Sequence, residues 1–255
     1  KVISLLDEAR EDKCLCYNAA VTSRLRRPAR LQSLLALILP IALALRVWGL
    51  DHHNVWWDEG LTSWAARLPV LRILDWTAHD VHPPLYFLIT RGWWLLVGDG
   101  AWGLRLLPAL AGVAGVAFVY GLGAELGGRR AGLLAAALVA LSPFAVTWSQ
   151  ELRMYIWAAT WAAGALWAAA RFWRTGSLRA LAGYVVATAA ALWTLYLSVT
   201  VLVVANLAFL LVAGSRNGRA RIVPWLGAQV AAVALFVPWL AYALPRMMSW
   251  SSAEP

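Results

Sequence analysis

The stretch LLPALAGVAGVAFVYGLGAELGGRRAGLLAAALVALSPFAVTW, residues 106–148, decides the fold class. It reads as two apolar blocks, 106–124 and 131–148, joined by a short turn that carries Arg129 and Arg130. Crossing the roughly 30 Å hydrocarbon core of a bilayer takes about 20 helical residues, and both blocks are of that order. Similar blocks recur on either side, at 31–50, 156–172, 180–197, 199–213 and 222–243. Composition agrees, with 62% of the 255 residues apolar and 14% charged, and a mean hydropathy of +0.64. A water-soluble domain carries about 25% charged residues, so this chain has too few to cover a water-facing surface. The expected fold is all-α: a multi-pass helical membrane protein with about seven transmembrane helices of bilayer-spanning length.

The net charge of +9 does not indicate nucleic acid. Most arginines lie in short clusters between apolar blocks, where positive charge sets membrane orientation. Arg24, Arg26, Arg27 and Arg30 precede the first block and mark residues 1–30 as a cytosolic tail. Within it, residues 1–23 begin with Lys, lack the layout of a cleaved signal peptide, and read as an extension or a start-site artefact. Cys14 and Cys16 lie there, and no other cysteine exists; a C-x-C pair alone is a poor metal site.

The short apolar stretch 84–97 is settled by parity. If it does not cross, the clusters Arg129–Arg130, Arg171/Arg174/Arg179 and Arg216/Arg219/Arg221 all fall on the cytoplasmic side with the N-terminus. If it crosses, every one of them lies outside, against the positive-inside rule. Residues 51–105 therefore form one long outer loop, with 84–97 re-entrant or interfacial. Inside that loop Trp57, Leu61, Trp64 and Leu68 recur on one face of a helix that stops at Pro69. Such a helix, and a second over Val70–Trp76, would lie along the membrane surface.

Polar residues are concentrated on that side. All four histidines and six acids, Asp51, Asp58, Glu59, Asp75, Asp80 and Asp99, lie in residues 51–105. A second outer segment, 149–155, reads SQELRMY and contains Glu151 and Arg153. Ionisable groups kept at the boundary of so apolar a protein are functional candidates. Asp51, Asp75 and Asp99 read as solvated or capping residues, His52, His53 and His79 as surface residues, and the tryptophans as an interfacial belt. Asp58–Glu59 differs, because paired acids beside aromatics are costly without a purpose. His82–Pro83–Pro84 imposes a rigid extended turn beside Asp80.

Taken together, WWDEG (56–60), DVHPPLYF (80–87), GLRLLPALAG (103–112), GGRRAGLLAAAL (127–138), LSPFAVTWSQELRMY (141–155) and VPWL (237–240) resemble a known family. They are similar to the N-terminal half of bacterial C-type glycosyltransferases related to protein O-mannosyltransferases, glycosyltransferase family 39. The lipid A aminoarabinose transferases are more distant relatives. The resemblance covers roughly residues 30–245 and implies transfer of a sugar from a polyprenyl-phosphate donor to an acceptor hydroxyl of a protein, lipid or glycan. It places the site on the outer face of a bacterial plasma membrane, with juxtamembrane helices in the first outer loop.

By this resemblance Asp58 is the catalytic base of a single inverting displacement, and Glu59 supports it or the acceptor site. One carboxylate suffices because phosphate is a good leaving group and needs no general acid. Asp80 and His82 line the same pocket, and Arg153 holds the donor phosphate with Gln150, Glu151 and Tyr155 around it. A divalent metal bridging acid and phosphate stays an open option. Two departures stand out. Leu195 occupies a position where many members have His, and members continue some two hundred residues beyond the Pro238–Trp239 motif, whereas this sequence ends at Pro255. The chain therefore reads as the N-terminal part of a longer enzyme, with 246–255 a truncated outer segment. The competing expectations are a transporter or lipid scramblase with an acidic outer gate, which would place ionisable groups near the midplane, and a non-catalytic remnant.

Overall fold

The computed structural model describes residues 34–213 and 219–250. Expectations for the tail, its two cysteines and the arginines at 24, 26, 27 and 30, for Arg216 and for residues 251–255 fall outside them. Every regular element among the described residues is helical: α1 (Leu34–Val47), α2 (Trp57–Arg67), α3 (Val70–Ala78), α4 (Leu85–Val97), α5 (Ala101–Leu141), α6 (Pro143–Gln150), α7 (Tyr155–Thr175), α8 (Leu178–Thr194), a 3₁₀ turn (Tyr196–Ser198), α9 (Val199–Ala213) and α10 (Ile222–Trp250).

Helix α5 is two helices. As one straight rod its 41 residues would extend about 60 Å, but Gly128 breaks it at φ 81°, ψ 173°. A Cβ on Gly123 would stand 2.9 Å from the Cα of Gly132, and one on Gly132 would stand 2.6 Å from the carbonyl oxygen of Tyr120. Residues nine apart touch only if the chain doubles back, so 101–127 and 129–141 are the arms of a tight hairpin. The glycines permit the close approach, and Ala42, Val116, Ala136 and Ala140 pack where α1 joins the arms. The second arm continues through Ser142, whose Oγ accepts the Ala145 N–H, into α6 with Pro143 in its first turn. The two apolar blocks at 106–124 and 131–148 are thus two antiparallel passes.

The remaining long helices also alternate. Gly176, in the left-handed region at φ 72°, ends α7, and Ser177 caps the start of α8. Phe172, Tyr184, Phe209 and Trp225 bring α7, α8, α9 and α10 together in one aromatic cluster. At the other end Trp239 of α10 donates to the Tyr196 hydroxyl beyond α8. Each of the seven expected apolar blocks thus falls on a helix or on consecutive helical segments among the described residues.

The outer surface is apolar. Leu210, Leu211, Val223 and Val230 are 68%, 87%, 79% and 69% exposed, whereas a water-soluble monomer avoids broad apolar patches. This is the inverted surface of a membrane-embedded protein. Helix α2 shares the inversion: its buried residues are Glu59, Thr62, Ala65 and Ala66, while Trp57 and Trp64 face outward. Helix α4, with 13 residues, is about 20 Å long, too short to cross a bilayer core.

Candidate active site

The two acid-bearing segments meet at one end of the bundle. Asp58 and Glu59 occupy the first turn of α2, where the helix dipole favours carboxylates. As neighbours on a helix they point about 100° apart, and the structure uses both directions. Asp58 keeps about a third of its side chain exposed, at 32%, whereas Glu59 is sealed inside at 1%.

Glu59 is held by Arg105, near the start of α5. Arg105 Nε donates to Oε1 at 2.9 Å and Nη2 to Oε2 at 2.6 Å, the bidentate fork that suits a buried guanidinium. Its other donors reach the carbonyls of Leu50, His53 and Asn54. Glu59 Oε1 also accepts the backbone N–H of Leu152 at 2.8 Å. Glu59 thus sits behind Asp58, in the wall of a small cavity it shares with Trp56 and Arg105.

Arg153 comes from the bend between α6 and α7. Its Nη2 lies 3.3 Å from Asp58 Oδ2 and donates to the Tyr155 hydroxyl at 3.3 Å. Its guanidinium stands 6.0 Å from the ring centre of Trp56 and 5.4 Å from that of Tyr155. The Nε is buried without a hydrogen-bond partner, so one donor of a charged group is still unused. The neighbouring hydroxyl of Tyr86, on a fully buried side chain, is also unpartnered, and burial pushes this phenol above its usual range.

Asp80 and His82 pair with each other, Nδ1 to Oδ2 at 3.0 Å. Burial opposes the Asp80 charge, but hydrogen bonds from His82 and the Val81 amide outweigh it and hold the carboxyl below its usual range, with Arg153 assisting. Glu151 behaves oppositely. Burial first, then the like charge of Glu59, raises its carboxyl, against the pull of Arg153 and Arg105. Its Oε2 is buried and unpartnered beside a cavity of about 130 Å³ shared with Trp56, Glu59 and Arg105.

The structure therefore brings Asp58, Arg153 and Tyr155 together, with Asp80–His82 and Glu151 within electrostatic reach. Gln150 lines the same cavity as Glu151 and Trp56, and its amide donates to Trp48 O at 2.7 Å, and more weakly to Leu45 and Arg46, closing the C-terminal end of α1. His52, His53, Asp51 and Asp75 are exposed. Asp99 is exposed but engaged, accepting from Arg67 and from the Trp94 indole. Among the described residues no group of three or more His, Cys, Asp or Glu is arranged to hold a metal ion.

Sequence reasoning gave Arg105 no role. A signal existed, because a lone cation at the mouth of an apolar helix needs a counter-charge, and Glu59 is an acid on the same side. Arg46, the one charge inside the first block, is fully buried. Four of its five N–H groups are taken up by Ser149 Oγ and the carbonyls of Ala42, Ala140 and Val139. A substrate gate would need it free.

Residues 81–242 match the family model described as dolichyl-phosphate-mannose-protein mannosyltransferase. The matched span includes His82, Arg105 and Glu151–Tyr155 and begins after Asp58, Glu59 and Asp80. Among solved structures, the chain is similar to the Archaeoglobus fulgidus oligosaccharyltransferase in its apo form, at 17% identity and a TM-score of 0.62, over 82% of this chain and 29% of that one. The same enzyme tethered to an acceptor peptide containing the NVT sequon is similar at 18% identity and a TM-score of 0.50, over 81% and 33%. The chain spans about a third of that enzyme's length, and at such identities the likeness is one of fold. No curated protein matches the chain.

Proposed function

Because the chain belongs to the dolichyl-phosphate-mannose-protein mannosyltransferase family, we propose that it moves a sugar from a polyprenyl-phosphate carrier to an acceptor hydroxyl. The site faces the outside of a bacterial plasma membrane, and the seven apolar blocks are membrane crossings. The family's description favours a protein acceptor. The observation that carries the reading is the meeting of Asp58 and Arg153 at 3.3 Å, which places a carboxylate and a cation in one half-open site.

In the reaction the acceptor oxygen attacks the anomeric carbon on the face opposite the phosphate. Asp58 takes the acceptor proton, the bond from anomeric carbon to phosphate oxygen breaks, and its electron pair leaves with polyprenyl phosphate. The anomeric configuration inverts. Arg153 stabilises the charge that accumulates on the departing phosphate. Its unused Nε suits this task, since the phosphate gains a donor that no protein group occupies. Asp80–His82 borders the sugar, and Glu151 and Tyr155 shape the phosphate end. An apolar groove of about 670 Å³ between α5, α6 and α7 begins at Tyr155 and Trp148 and continues along Ala159, Val119 and Leu138, a lining suited to an isoprenoid chain.

Asp58→Asn should lower transfer from a polyprenyl-phosphate sugar by about 10²–10⁴-fold in proteoliposomes, with expression and insertion unchanged. Arg153→Ala should raise the donor KM more than the acceptor KM. Full transfer by the Asp58→Asn variant would remove Asp58 as base, and an unchanged donor KM would remove Arg153 from the phosphate.

A further inference from the structure

The buried pair beneath the site does more than neutralise charge. Arg105 and Glu59 satisfy each other through two hydrogen bonds, and three carbonyls of residues 50–54 take up the rest of the guanidinium's donors. Charge balance is complete there. Glu59 Oε1 nevertheless accepts a further bond, the Leu152 N–H at 2.8 Å, across 93 residues of sequence.

That bond joins two backbones at particular positions. Glu59 directly follows Asp58, and Leu152 directly precedes Arg153. Consecutive Cα atoms are 3.8 Å apart, so fixing Glu59 against Leu152 fixes the spacing at which Asp58 and Arg153 face each other. We infer that Arg105 and Glu59 are positioning residues that set the register between the base and the phosphate-binding arginine, acting through the Leu152 amide. Arg105 holds the Glu59 carboxylate rigid in a fork, and the carboxylate holds the bend between α6 and α7. Met154 anchors the bend by packing against Ala65, Tyr86 and Phe87, but among the described residues the Leu152 N–H is the backbone donor of the bend that reaches α2. Residues 151–154 form no helix, and Arg153 N–H donates only locally, to Glu151 O at 2.7 Å.

The inference rests on the proposed transfer reaction, and its experiment separates the two. Replacing Leu152 by its α-hydroxy acid turns one amide into an ester, which deletes the donor to Glu59 and weakens Glu151 O as acceptor of the local Arg153 N–H. The Arg105–Glu59 pair stays intact, so the reconstituted protein should remain folded at the assay temperature while kcat falls by about 10- to 100-fold, the range of a small misplacement of reacting groups. The same replacement at Ala158, whose N–H bonds to Met154 O where α7 begins, should leave kcat unchanged. An unchanged kcat for the 152 ester overturns the inference, as does equal loss at 152 and 158.

A double-mutant cycle gives an independent reading. Arg105→Lys should lower kcat in the native background but by no more than about 3-fold in an Arg153→Ala background, where the spacing no longer matters. Multiplicative losses would mean a purely structural strut. Absence of sugar transfer by the native protein would instead fail the transfer reading itself.

Discussion

Two clusters of arginine and glutamate, one at each end of the bundle, put the same chemistry to different use. At the site end Arg105 and Glu59 are 5% and 1% exposed, and every strong donor and acceptor is matched. At the hairpin end Glu125, 7% exposed, is flanked by Arg174 and by Arg171 at 3.6 Å, whose side chains are 62% and 52% exposed. The first pair links the loop after α1, α2, α5 and the bend before α7. The second links the neighbouring ends of α5 and α7, helices that already touch through Gly121 and Trp167. Burial of the arginine decides the difference: a pair sealed on both sides is costly to break and so can hold geometry, whereas arginines that face water exchange partners cheaply.

The largest expected effect tests that contrast directly. Arg105→Ala leaves Glu59 charged and buried and should cost about 3–5 kcal/mol of stability. Arg174→Ala should cost less than about 1 kcal/mol, because Arg171 remains and water replaces the lost partner. Denaturant titration of the two purified variants in one detergent measures both. Equal losses would break the comparison. Salt sharpens it, since about 1 M salt contracts the screening length to roughly 3 Å; the hairpin-end contribution should then vanish while the site-end cost persists.

The contrast also accounts for what the sequence made legible. Seven apolar blocks, the helix ending at Pro69 and the short stretch 84–97 all follow from periodicity and length, and each has its helix in the structure. Periodicity also named the stripe of Trp57 and Trp64, which does face away from the protein. What sequence could not supply was pairing. Asp58 and Glu59 are adjacent and chemically alike, and only the 100° step around α2 sends one to Arg153 and the other to Arg105. Gln150 sits inside a family motif, yet its amide serves the end of α1, because three carbonyls there lacked partners. Such choices depend on contacts nearly a hundred residues apart in the chain.

A mid-sized effect concerns the Asp80–His82 pair, which is intermediate in exposure at 28% and 18%. The Asp80 carboxyl is held below its usual range, so its contribution is present above the unfolded carboxyl pKa of about 3.9 and is lost as pH falls through the folded value. Removing the partner with His82→Ala should cost about 1 kcal/mol at neutral pH and less as the solution becomes acidic. The acid-unfolding midpoint should therefore move upward. A cost independent of pH would mean that His82 acts by packing alone.

The smallest effect has the opposite sign. Glu151 has its carboxyl raised, by burial and then by Glu59, so the folded state binds a proton there more readily than the unfolded chain does. Above the folded pKa the ionised group works against folding, and that penalty disappears as pH falls below the unfolded value of about 4.3. Glu151→Gln should raise the thermal midpoint by about 1–2 °C at pH 7 and by nothing near pH 3.5. The increment is small because the side chain is partly open to water, which screens it. If transfer falls in the same variant, a charge that folding disfavours is being kept for the phosphate end of the reaction. If transfer is unchanged, Glu151 borders the site without serving it, and Asp58 and Arg153 alone account for the chemistry of the two loops.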